Sequence, residues 1–251
     1  MKKDGSWQGL KSICNLYNIR RRLSKKNPVW IVAAICTAAF LGVMYSFAPA
    51  YVCSSYLISA VFMYFLGAYI SLALNDKEND VFEEVMLLHS ENLPAYYISR
   101  EFLQLGIGFI FAFVLAVAPV LRAVSWPGFF TRAMTAADVI WGGATILFCG
   151  LCGIETADCV HPRIIGRKYG ICLVVLVSVL AVCKHSLIQT LAVFKVLNIL
   201  MPPVMDSFLL LGNSDRFEPA GNALILLHML LYSLAVVIIK IRLMTLKKYR
   251  R

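Results

Sequence analysis

Apolar runs of about 20 residues recur along the chain, separated by short segments that hold nearly all of its charges. A helix needs about 20 such residues to cross about 30 Å of hydrocarbon at about 1.5 Å per residue. The pattern predicts six spans: 28–51, opened by Pro28 and free of charge; 56–74; 102–121; 139–157; 170 to at least 183; and 220–239. Composition agrees. The chain is 60% hydrophobic and 15% charged with a mean hydropathy of +0.74, against about 45–50% and about 25% in soluble domains. A water-soluble enzyme, a disordered chain and a single anchor on a soluble domain are excluded. An all-α polytopic membrane protein remains.

The net charge of +10 would suggest nucleic acid in a soluble protein, but here the cations flank apolar runs, where they set topology. Alternate sides of six spans hold nineteen and five of the 24 Lys and Arg residues. The richer side carries both termini and the 75–102 and 158–170 loops, so both termini are expected in the cytoplasm, at the plasma membrane. The basic stretch before the first span is too long for a signal peptide, and no small-residue cleavage site follows a short apolar core. Within residues 1–27, Trp7, Leu10, Ile13, Cys14, Tyr17 and Leu23 roughly follow helical spacing, with Lys11 and Arg20 to Arg22 elsewhere on the wheel. That pattern predicts a basic amphipathic helix on the inner leaflet, in contact with membrane lipid; a solvated basic tail is the alternative.

The 75–102 loop stands apart, with seven acids against Lys77 and Arg100. Acidity is not required for insertion. Asp80 and Glu83 form a capping-box pattern ahead of Val81, Phe82, Val85, Met86, Leu87 and Leu88, and Pro94 suits the first turn of a further helix. The expectation is a short helix with one wet and one apolar face, a turn, and a helix leading into the third span.

With its basic N-terminal helix, tight turn between the first two spans, acidic loop and Tyr97-Ile98-Ser99-Arg100-Glu101 entry to the third span, the layout resembles the permease subunit of an ATP-binding-cassette exporter of the type-2 permease class. In that class the loop between spans two and three carries a coupling helix that docks on the ATPase subunit. The resemblance implies that residues 81–89, including Val81 and His89, are that helix. Glu83 and Glu84 would face basic residues of the ATPase, Phe82, Met86 and Leu87 would fill its groove, and Arg100 would close the lead into the third span. An interfacial helix that touches only lipid is the alternative. The 158–170 loop would give a second, smaller contact, or else serve as a basic turn that fixes topology.

Residues 184–219 are too apolar for an exposed loop and are divided by Pro202 and Pro203. Lys184, His185 and Lys195 argue against a simple extension of the fifth span. A re-entrant helix pair closing the outer end as a gate, with Pro202 and Pro203 at its break, is what the resemblance implies. Asp138 and Glu155 lie near the ends of span four and are expected to snorkel, while His228 is expected to play a structural role in span six. Cys149 and Cys152 sit in mid-span among Gly142, Gly143, Gly150 and Gly153, a setting for close helix packing rather than for metal or thiol chemistry.

No phosphate-binding loop or catalytic constellation occurs in the sequence. The chain is therefore expected to be a transporter subunit, not an enzyme, with no cofactor of its own. ATP and magnesium would belong to a separate ATPase subunit, and a second permease copy would complete the pathway for an amphipathic peptide, lipid or drug. An ion-coupled secondary carrier and a non-transporting scaffold or immunity protein are the competing readings.

Overall fold

The computed structural model describes residues 13–22, 28–77, 93–161, 165, 167–190, 201–212 and 214–246. These form eight helical segments: α1 (residues 13–22), α2 (Val29–Met44), α3 (Val52–Lys77), α4 (Leu93–Ser125), α5 (Ala136–Asp158), α6 (Arg167–Thr190), α7 (Asp206–Leu211) and α8 (Pro219–Leu246). Four contain stretches long and apolar enough to cross a membrane: Val52–Asp76, Tyr96–Ser125, Ala136–Asp158 and Pro219–Met244. Two shorter apolar helices, Val29–Met44 and Tyr169–His185, accompany them. Large apolar side chains cover their outer faces, among them Ile35 on α2, Phe113 on α4, Val179 on α6 and Leu231 on α8. Water does not tolerate that much contiguous apolar surface on a monomer. The protein is membrane-embedded.

The first apolar run is longer than its helix. It stops at Met44, where the Tyr45 N–H donates to the Leu41 carbonyl, and the chain bends through residues 46–49. Pro49 has no N–H with which to continue a helix. Ala50 then exchanges backbone hydrogen bonds with Phe129 and Thr131, at 3.0 Å each, tying the α2–α3 connection to the α4–α5 connection.

At the centre lies α5, packed on α3, α4 and α8. Glycines permit the approach to α3. An added Cβ at Gly67 would lie 2.6 Å from the Gly150 carbonyl oxygen, and one at Gly153 would collide with the Tyr64 carbonyl. Tyr56 covers Gly142 and Met63 covers Gly150, while Gly143 turns toward Ala116 of α4. This is the small-residue packing expected in a medium that supplies no hydrophobic drive between helices. Cys149 and Cys152 belong to the same packed interior, and the Cys152 Sγ lies 3.6 Å from both Ser233 Oγ and the Met229 carbonyl.

The N-terminal helix differs from the expected wheel. In α1 the inward residues are Leu16 and Arg20, one turn apart; Leu16 packs with Tyr96, Tyr97 and Met244, and the Arg20 guanidinium stacks 4.2 Å from the Tyr96 ring centroid. A cation that was expected on the wet face is drawn in by an aromatic face.

The fifth apolar run also departs from expectation. Lys184 and His185 lie inside α6, which continues to Thr190. Lys184 is buried, and its Nζ is 2.8 Å from Oδ1 of Asp206, the first residue of α7. Pairing removes most of the cost that argued against extension. Pro202 and Pro203 are buried, and neighbouring Val204 joins the main apolar core. Residues 191–200, including Lys195, lie outside the described residues.

Candidate functional site

Polar residues gather at the two ends of α5. Asp138 and Asp158 are 20 residues apart on that helix, about 30 Å along its axis and close to the thickness of bilayer hydrocarbon. The end of the bundle from which the acidic 75–102 segment leaves is termed here the loop end.

At the loop end, four helices contribute to one buried polar knot. Asp158, the last residue of α5, is its hub. Its Oδ1 accepts from Arg100 Nη2 and Asn75 Nδ2, each at 3.0 Å, and from Gln104 Nε2 at 3.2 Å. Lys240 of α8 pairs with both Asp158 and Glu101. Asn75 Oδ1 in turn accepts from Arg100, and from Gln104 at 3.2 Å. Glu155, one turn before Asp158, reaches the Glu101 carboxyl across the α4–α5 interface. None of the five charged residues exceeds 5% exposure, and Asp158 and Lys240 have none. Burying charges is tolerated only with such mutual pairing.

Helical spacing puts Arg100, Glu101 and Gln104 on one face of α4, while Asn75 sits near the end of α3. The knot is therefore built from both roots of the acidic segment. Of the residues expected to engage an ATPase, Arg100 is the one placed, and its guanidinium lies inside the bundle on Asp158. Val81, Phe82, Glu83, Glu84, Met86, Leu87 and His89 lie outside the described residues.

Glu155 does not snorkel; it is 2% exposed and turned into the bundle. Asp138 is likewise buried, at the opposite end. It completes a capping box with Thr135, whose Oγ1 donates to Asp138 Oδ2 at 2.7 Å. It also accepts two hydrogen bonds from Arg132, Nη1 to Oδ2 at 2.7 Å and Nη2 to Oδ1 at 2.8 Å. Arg132 Nε lies 3.3 Å from Oδ2 of Asp215. The Asp215 carboxylate accepts the first backbone N–H groups of α3, from Val52 at 3.1 Å and Cys53 at 2.8 Å. Hydrogen bonding to Asp138 raises the pKa of Arg132 above the ordinary arginine value, so this clasp keeps its cation. Beside it, Val120, Val124, Trp126, Phe130, Met134 and Val139 help to line an open cleft of about 570 Å³.

Sequence reasoning treated Lys240 and Glu101 as loop or tail charges and gave no role to Asn75, Gln104, Asp158, Arg132 or Asp215. One signal was available: Arg100, Glu101 and Gln104 share a helical face at the edge of an apolar run, and Lys240 abuts another. His228 is half-buried on α8, within the span as expected. No family model, characterised protein or solved structure matches the chain.

Proposed function

We propose that this chain is the membrane-spanning permease subunit of an ATP-driven exporter. In this reading α2 and α6 complete six spans, both termini face the cytoplasm of a cell-membrane protein, and residues 201–212 belong to a re-entrant outer segment. The observation that carries it is the polar knot at the roots of the acidic segment. Asn75 on one side and Arg100, Glu101 and Gln104 on the other are fastened to α5 and α8 through Asp158 and Lys240. A push on residues 81–89 therefore reaches four helices rather than one hinge. Mechanical coupling of this kind requires that the partner bind two bundle states with different affinity.

A separate ATPase that binds ATP and magnesium would supply the push, and a second permease copy the other half of the pathway. The open apolar cleft with Arg132 in its lining suits an amphipathic cargo such as a peptide, lipid or drug. Affinity purification from native membrane tests the reading. Recovery of an ATP-binding-cassette subunit, lost when Glu83 and Glu84 are both replaced by Lys, is the expected result; recovery of none overturns it. An ion-coupled carrier is the second reading, favoured by four carboxylates buried in helices among the described residues: Glu101, Asp138, Glu155 and Asp158. It predicts flux driven by an ion gradient in liposomes that contain this chain alone.

A further inference from the structure

Among the described residues the knot holds three carboxylates, Glu101, Glu155 and Asp158, against two cations, Arg100 and Lys240. Asp158 takes hydrogen bonds from Asn75, Arg100 and Gln104 and pairs with Lys240. Glu101 uses Oε1 for Lys240. Glu155 meets the Glu101 carboxyl, and the Oε2 atoms of both are buried without a hydrogen-bond donor. Two ionised carboxylates in contact offer acceptors only, so each repels the other and neither Oε2 is satisfied. A single proton turns one of the two acids into a donor and removes the surplus charge.

Among the described residues, the surroundings supply no other remedy. On α1, the Arg20 guanidinium lies over the Tyr96 ring. On α3, Asn75 is committed to Asp158 and Asp76 is exposed. On α4, Gln104 donates to Asn75 and Asp158. Along α5, Glu155 is flanked by the thiols of Cys152 and Cys159, with His161 beyond the helix end. On α8, Lys240 is shared between Glu101 and Asp158, and Arg242 is exposed. The last-turn carbonyls of α5, the partial negative pole of that helix, further disfavour anions at Glu155 and Asp158. A metal cation is a poor substitute, because the ammonium of Lys240 already occupies the space beside both Glu101 and Asp158.

We propose that Glu101 and Glu155 together bind one exchangeable proton, making the knot a proton-binding site at the root of the acidic segment. Loss of that proton to water leaves an uncompensated negative charge in a buried cluster whose cations are already engaged. The knot then loosens where α4 meets α5. The site rests on the geometry of this chain alone and stands whether or not an ATPase binds.

Infrared spectroscopy of the purified full-length chain in lipid nanodiscs tests it. At neutral pH the wild type should show a protonated-carboxyl C=O band that shifts in heavy water and disappears on alkaline titration. Glu155→Gln and Glu101→Gln should each abolish the band, because the introduced amide donates to the remaining carboxylate. Glu218→Gln, at an exposed position, should retain it. Absence of the band from the wild type at neutral pH, or its survival in both knot variants, overturns the proposal. Should a knot variant fail to fold, the wild-type band must move on isotopic labelling of glutamate carboxyls and stay in place on labelling of aspartate. A band that follows aspartate overturns it equally.

Discussion

At one end of α5, Arg132 faces Asp138 and Asp215; at the other, Arg100 and Lys240 face Glu101, Glu155 and Asp158. Among the described residues, each cluster has one more carboxylate than cation. The clasp absorbs its surplus through helix ends. Asp215 takes the first N–H groups of α3, and Asp138 caps α5 through Thr135. Each helix N-terminus presents roughly half a positive charge. The knot has the reverse arrangement, since Glu155 and Asp158 lie in the last turn of α5, where the helix adds negative charge. Exposure differs too. The Arg132 side chain is 21% exposed, whereas that of Lys240 is fully buried. The same charge count is thus stable as it stands at one end and depends on tight mutual pairing at the other.

Removing a cation from each end breaks this comparison most directly. Lys240→Met leaves three buried carboxylates with Arg100 alone, and breaking a buried pair costs about 3–5 kcal/mol. Thermal or denaturant unfolding in detergent measures the loss. A loss no larger than that of an exposed pair, about 1 kcal/mol or less, defeats the account of the knot. Removing charges in pairs sharpens it. Lys240→Met combined with Asp158→Asn should recover a large part of that loss, because the partners share one network and are not additive. Simple additivity of the two losses means that they act separately.

Four of the expected spans were legible as long apolar helices because hydropathy over 20 residues is a strong signal, and the glycines of α5 were legible as packing residues. Helix ends were not. The first apolar run loses its last turns to the Pro49 bend, and α6 runs on through Lys184 because Asp206 meets it from 22 positions away in sequence. The knot was hidden for the same reason. Asn75, Arg100, Asp158 and Lys240 lie in segments that hydropathy treats as flanks, where a charge reads as a topological marker. Only tertiary contact reveals that they face inward and meet. Arg20 deceived in the same way, since no helical wheel shows that Tyr96 lies beneath it.

At the opposite end the expected losses are smaller. Arg132→Met removes two hydrogen bonds to Asp138 and the pairing with Asp215 from a partly wet site. Water reaches the Arg132 side chain and can take over part of each lost bond, and the Asp138 and Asp215 carboxylates retain their backbone donors. The loss should therefore fall below that of Lys240→Met in the same unfolding assay. Equal losses erase the distinction between the ends.

Asp215→Asn is the mildest test and the most discriminating. The amide oxygen still accepts an N–H at the start of α3, and Asn caps helices about as well as Asp. What disappears is one of the two N–H acceptors, worth about 0.5–1.5 kcal/mol, together with the ion pair with Arg132 and the favourable charge at the helix N-terminus, which contributes about 0.3–1 kcal/mol. Arg132 keeps its bidentate hold on Asp138. The variant should therefore lose about 1–2 kcal/mol, and the charge-dependent part of the loss should shrink in high salt, because a partly exposed pair is screened. A loss of several kcal/mol that salt leaves unchanged places Asp215 in a dry network like the knot. In that case the helix ends, rather than access to solvent, carry the whole difference between the two ends of α5.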